Sequence, residues 1–186
     1  MNTNKTIRII GGSLRNSKIK VVEEGIKPTT DRIRVTLFNW LQTIIPNTRV
    51  LDLFAGSGIL GLETLSRGSK SVTFIEKSKK ASIALAQQLE RFKFNNYENI
   101  HIDAIQFLEQ ENKESSFDLI FLDPPYGDYS IDQILNLILM NNLISKKGFV
   151  YYESNIALEI GLDRSLWNIY RESKAGKVYY YLLCCN

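Results

Sequence analysis

The chain is poor in the residues that build staples and metal sites. It has two cysteines, Cys184 and Cys185, adjacent near the C-terminus. Neighbours in sequence form no structural staple, which fits a reducing compartment such as the cytoplasm. One histidine, His101, and no spaced cysteines argue against a zinc-type metal site. No apolar run reaches the roughly 20 residues of a membrane span. The N-terminus, MNTNKTIR, lacks the apolar core of a signal peptide. Internal repeats and low-complexity tracts are also missing.

What is present is a chain of 186 residues, 44% hydrophobic, sufficient for one domain with its own core. Net charge is +3 but uneven. Residues 1–35 hold eight bases and three acids, and the remainder is slightly acidic. A basic front end on a near-neutral body suggests an anionic partner such as nucleic acid; a solvated, mixed-charge terminus is the plainer alternative.

Ile7–Ile10 and Ile19–Val22 read as short strands around Gly11-Gly12, a hairpin within a basic extension over 1–26. The main body follows from 27 to 186. Pro28-Thr-Thr-Asp31 opens a helix with Ile33, Leu37, Leu41 and Ile44 at helical spacing and Thr30 or Asp31 as cap. Strands and helices then alternate. Strands are expected at Arg49–Phe54, Ser71–Ile75, Asn99–Ile102, Phe117–Leu122 and Gly148–Glu153. Helices are expected at Gly58–Arg67, Ser78–Phe92, Ala104–Gln110 and Ser130–Met140. Trp167–Ser173 and Val178–Cys184 close the chain as an antiparallel hairpin. This pattern predicts an α/β fold, a seven-stranded, mostly parallel sheet with helices on both faces and ligands at the carboxyl ends of the strands. The extension lies outside that alternation, so its removal should spare the fold if it buries little of the core.

Residues 51–61, LDLFAGSGILG, contain Gly56-Ser57-Gly58-Ile-Leu-Gly61, the G-x-G-x-x-G pattern of a nucleotide-binding turn. Phe54 and Ser57 belong to the same turn. Glycines allow a tight turn and close ligand approach for any nucleotide cofactor. Asp52 separates the choices. A pyrophosphate against this turn would be repelled by a carboxylate, whereas the sulfonium and amino group of S-adenosylmethionine would be attracted, directly or through water. Glu76 ends the second strand and suits two ribose hydroxyls. Asp103 suits an adenine amino group, with the Ala104 backbone against the ring. Helix capping or a solvated loop is the alternative for Glu76 and Asp103.

Asp123-Pro124-Pro125-Tyr126 follows the apolar strand FDLIFL. Two prolines remove two N–H donors and fix the backbone. The Asp123 carboxylate and Pro124 carbonyl remain as acceptors for the two hydrogens of a planar amine. Tyr126 suits stacking on a base taken out of its stack.

Asp52, Gly56-Ser-Gly58, Glu76, Asp103 and DPPY together look like a Rossmann-like, S-adenosylmethionine-dependent amino-group methyltransferase. More narrowly, RIIGGSLR at 8–15, KPTTDRIRVTLFNWL at 27–41, LDLFAGSGILGLETLSRG at 51–68, DPPY at 123–126 and KAGKVYYYLL at 174–183 resemble the bacterial small-subunit rRNA methyltransferase D (RsmD) family. That resemblance makes 27–186 the methyltransferase domain. It implies methylation of the N2 amine of a guanine in 16S rRNA, position 966 in standard rRNA numbering. The RNA is free or part of the assembling small subunit, and the enzyme is expected to be a cytoplasmic monomer without a membrane role. Arg8, Arg15, Lys18, Arg32 and Arg34 would face RNA. Arg32 and Arg34 sit in the first turn of a helix, where positive charge opposes the macrodipole; a phosphate there would explain both, and an ion pair with Asp31 would explain one. The chain departs from the family in having Asn16-Ser17 before Lys18, Lys27 for arginine, Val35 for glutamate and Tyr126 for phenylalanine. A DNA adenine or protein-glutamine methyltransferase, a dinucleotide oxidoreductase and a non-catalytic RNA-binding protein are the competing readings.

Overall fold

Short apolar segments separated by turns supply the strands, and each strand after residue 48 finds its place in one sheet. The computed structural model describes residues 6–21, 30–110, 116–125, 129–158, 163 and 165–185. In chain order the elements are β1 (Thr6–Arg8), β2 (Lys18–Lys20), α1 (Asp31–Trp40), β3 (Arg49–Asp52), α2 (Ile59–Ser66), β4 (Ser71–Ile75), α3 (Lys79–Arg91), β5 (Tyr97–Ile100), α4 (Ala104–Glu109), β6 (Phe117–Leu122), α5 (Ile131–Met140), β7 (Ile144–Ser154), β8 (Trp167–Ala175) and β9 (Val178–Cys185).

The sheet has seven strands in the order β5-β4-β3-β6-β7-β9-β8. The pairs from β5 to β7 are parallel. β9 pairs antiparallel with both β7 and β8. Helices α1, α2 and α3 cover one face, where Leu37, Leu62 and Leu85 pack with Phe74, Phe121 and Tyr151. Helices α4 and α5 cover the other, with Leu108 and Ile138 against Leu51, Ile120 and Val150. Strand order reverses between β3 and β6, and the crevice outside their carboxyl ends is where such sheets bind ligands. Among the described residues, no helix is long and apolar enough to cross a membrane.

β1 and β2 begin one residue earlier than Ile7 and Ile19, and Val22 lies outside the described residues. Two strands of the large sheet also begin early. β5 lies two residues earlier than Asn99–Ile102, with Val72 opposite Tyr97. It is an edge strand with no fully buried residue, so its pattern carries little phase information. β7 begins at Ile144 rather than Gly148. The exposed Lys146 and Lys147 conceal its start, and the β6–β7 register shifts between Phe117 and Leu119.

The larger correction concerns the front end. β1 and β2 form a two-stranded antiparallel sheet of their own, but Ile7, Ile9 and Ile19 are buried in the same cluster as α1 and α2. The Ile10 N–H donates to Glu63 Oε2 at 2.8 Å. Ser66 Oγ donates to the Gly11 carbonyl at 2.7 Å and accepts from Leu14 N–H at 2.8 Å. The extension is therefore part of the core on the α2 side and not an appendage.

Candidate active site

β3 delivers the chain to the glycine turn, and α2 leads it away. Gly58 has φ +73°, and a Cβ there would meet Leu85 Cδ1 at 2.3 Å, so both conformation and space require glycine. At Gly61 a Cβ would strike the Phe74 ring at 2.2 Å, because α2 lies close against β4. Asp52 is buried beneath this turn, and its Oδ2 accepts from Gly61 N–H at 3.0 Å. Burial raises its pKa to about 7; the Gly61 N–H opposes the shift, and the nearby Glu76 carboxylate adds to it.

Glu76 spans the turn from the neighbouring strand. Its Oε2 accepts from Gly56 N–H at 2.6 Å, and its Oε1 accepts from Ser78 N–H at 2.7 Å. Neither Asp52 nor Glu76 has an ion-pair partner among the described residues. Two carboxylates that repel one another at a glycine turn make a site for a cation. A pyrophosphate would meet both charges, whereas a sulfonium and an amino group would relieve the repulsion. The donor set thus fits S-adenosylmethionine.

Asp103 is the N-cap of α4, its Oδ1 accepting from Ile105 N–H at 2.8 Å. The capping alternative is therefore realised at this residue. Its Oδ2 accepts from the Tyr129 hydroxyl at 2.8 Å. Burial raises its pKa, but the Tyr129 hydroxyl, the backbone N–H groups and the Lys77 charge together leave it below the ordinary carboxylate value. Ala104 is buried behind it. Phe54, half-buried in the turn, meets the Tyr129 ring at 5.0 Å between centroids. Ser57 is half-buried in the same turn.

Tyr129 belongs to none of the motifs read from the sequence. Lys77 Nζ donates to its hydroxyl at 3.3 Å, so it joins the turn after β4 to the α4 cap. Its position three residues beyond Tyr126, in the loop after β6, is the one local sign of such a role.

Asp123 and Pro124 lie half-buried directly after β6, across the crevice from Asp52. The β3–β6 register pairs Asp52 with Phe121, so the two acids leave adjacent parallel strands at nearly the same level. Tyr126 falls outside the described residues. No group of three or more acidic, histidine or cysteine side chains suited to a metal occurs among the described residues.

A family model described as "Conserved hypothetical protein 95" matches residues 7–184. The chain is 38% identical over 177 residues to the ribosomal RNA small subunit methyltransferase D of Escherichia coli K12, covering 95% of this chain and 88% of that protein. The chain belongs to the ribosomal RNA small subunit methyltransferase D family. The same-named protein of Haemophilus influenzae is 36% identical over 184 residues, covering 97% and 95%. A solved structure described as a putative methyltransferase yhhF from Escherichia coli superposes with a TM-score of 0.89 at 36% identity, over 96% of this chain and 97% of that one. The fold is the Rossmann-like methyltransferase fold.

Four of the five basic residues singled out in the sequence lie on the surface. Arg8 and Lys18 are exposed and directly opposite one another on β1 and β2, with Lys20 on the same face. Like charges directly opposite are destabilising in the bare protein, so stability alone does not select this pair. Arg15 and Arg32 are also exposed.

Arg34 requires a correction. Its side chain is 0% exposed. Its Nη1 donates to the Arg8 carbonyl at 2.9 Å and lies 3.7 Å from Glu63 Oε2; its Nη2 donates to Asp31 Oδ1 at 2.6 Å. The ion pair with Asp31, and not a phosphate, accounts for this arginine. Glu63 is equally buried and also accepts from Arg67 at 2.8 Å. Charge neutralisation within the core outweighs the unfavourable helix dipole.

Proposed function

We propose that the protein methylates the exocyclic N2 amine of the guanine at position 966 of 16S rRNA. The observation that carries this reading is the pairing of two strand ends. A cation-favouring glycine turn follows β3, and the Asp123 carboxylate and Pro124 carbonyl follow β6 as acceptors, on opposite sides of the reversal in strand order. S-adenosylmethionine supplies an electrophilic methyl group on a sulfonium.

The chain's own residues bind and orient. Asp52 would hold the charged end of the cofactor, Glu76 would accept from the ribose hydroxyls, and Asp103 and Ala104 would receive the adenine. Phe54, Gly56, Ser57 and Gly58 line the turn. Asp123 and the Pro124 carbonyl hold the two hydrogens of the guanine amine, whose lone pair is otherwise delocalised into the ring. Tyr126 stacks on the extruded base. Rate enhancement then comes mainly from proximity and alignment.

Arg8, Arg15, Lys18 and Arg32 contact RNA phosphates, with Arg34 withdrawn from that set. The enzyme acts as a cytoplasmic monomer on rRNA or the assembling small subunit. Mass spectrometry of 16S rRNA from cells with and without the gene tests the reading. Loss of one N2-methylguanosine at position 966 is expected. An unchanged guanosine there, or loss of a methyladenosine instead, overturns it.

A further inference from the structure

Glu153 lies one residue before the carboxyl end of β7 and is 4% exposed. The parallel β6–β7 register pairs Phe121 with Tyr151 and Leu122 with Tyr152. Continued one step past the last pair, that register brings Asp123 level with Glu153, and the charges of both acids act on Tyr151. Side chains alternate along a strand, so Glu153 falls on the face of Tyr151, whose ring meets Phe121 at 6.0 Å; the Asp123 charge, just past β6, reaches the same tyrosine. The Tyr151 hydroxyl donates to Glu153 Oε2 at 2.9 Å. Burial, followed by the charges of Glu153 and Asp123, holds the Tyr151 pKa well above its ordinary value. Tyr151 therefore remains a donor, and it orients the Glu153 carboxylate at the level of Asp123.

Orienting an amine needs only the two acceptors already described. A second carboxylate on the adjacent strand has a use in telling purines apart. On the guanine Watson–Crick edge, the N2 amine is flanked by N1–H, a further donor. On the adenine edge, the N6 amine is flanked by bare N1, an acceptor. A flipped base is read along that edge. A carboxylate beside the amine-holding pair satisfies guanine and repels adenine, and a site built to bind a substrate N–H discriminates strongly against a base lacking it.

We propose that Glu153, oriented by Tyr151, determines specificity by accepting the N1–H of the target guanine while Asp123 and Pro124 hold its amine. This rests on the guanine-N2 reading above.

The test compares two RNAs, one with guanine and one with 2-aminopurine at the target position. 2-Aminopurine keeps the 2-amino group but has a bare N1. The wild-type protein should show kcat/KM at least about a hundredfold higher for guanine. In Glu153→Gln, the amide can donate to bare N1, so the guanine rate should fall, the 2-aminopurine rate should rise, and their ratio should narrow at least about tenfold. Tyr151→Phe should narrow the ratio less, with cofactor affinity unchanged. A purely structural role would lower both rates alike and leave the ratio intact, which overturns the proposal. Equal wild-type rates on the two RNAs also overturn it, without need of a variant. If the wild-type protein places no methyl on N2 of the guanine RNA, the guanine reading itself has failed.

Discussion

Arg34 Nη2 and Asp31 Oδ1 meet at 2.6 Å, the arginine 0% and the aspartate 77% exposed. One turn of α1 thus reaches from solvent to a buried guanidinium, which in turn holds the Arg8 carbonyl of β1. Removing a partner from a buried charge cluster costs about 3–5 kcal/mol, because its remaining members lose their compensation. Arg34→Met should lower unfolding stability by about 3 kcal/mol in urea titration. The salt dependence of RNA binding should not change.

The exposed hairpin bases should behave in the opposite way. Arg8→Ala with Lys18→Ala removes a like-charged cross-strand pair and should change stability by no more than about 0.5 kcal/mol. The slope of log RNA affinity against log salt should become shallower by about 0.7–0.9 for each phosphate that the variant no longer neutralises. Deleting residues 1–21, by contrast, strips Ile7, Ile9 and Ile19 from the core and should lower the melting temperature, at about 1.5–3 kcal/mol per buried side chain.

Asp52 gives cofactor binding a pH signature. Its folded pKa of about 7 is above the ordinary 3.8. S-Adenosylmethionine should therefore bind more tightly as pH rises through the Asp52 pKa of about 7, releasing a proton that buffers of different ionisation enthalpy report in calorimetry. For folding the sign is reversed. Between about pH 4 and 7 the folded state binds more protons than the unfolded state, so this residue's stability contribution is full below about pH 4 and lost as pH rises. Asp52→Asn should flatten both dependences. Pronounced slopes retained in the variant would place the titration elsewhere.

Glu76 accepts two backbone N–H groups at the turn. Glu76→Ala should weaken S-adenosylmethionine binding by about 1.5–3 kcal/mol, as expected for losing a charged acceptor. Isothermal calorimetry measures this directly, and NAD should show no binding to the wild-type protein.

Asp123→Ala should leave cofactor affinity nearly unchanged and reduce single-turnover methylation at least about a hundredfold through weakened positioning. Rapid-quench measurement with labelled cofactor reads it. A near-wild-type rate would remove Asp123 from the reaction.

Much of this protein is written locally. The strand Phe117–Leu122, the Thr30 cap, the helices opening at Ser78 and Ser130, and the glycine turn after Asp52 form where the sequence places them. Each depends on neighbours within a few residues: an apolar run, a side-chain oxygen ahead of a helix, a glycine able to take positive φ. The parallel sheet follows from the alternation of such segments. Partnership across distance was decided only by the tertiary structure. Arg34 and Arg32 look alike in sequence, yet Glu63, on a different helix, and the Arg8 carbonyl draw one inward while the other stays in solvent. The basic extension became core because Ile10 found Glu63, a contact spanning 53 positions. Asp123 and Glu153 come to the same end of adjacent strands through a register, ending at Leu122 and Tyr152, that no local pattern specifies. Burial of charge and strand register are properties of packed surfaces, and those surfaces exist only once the chain has folded.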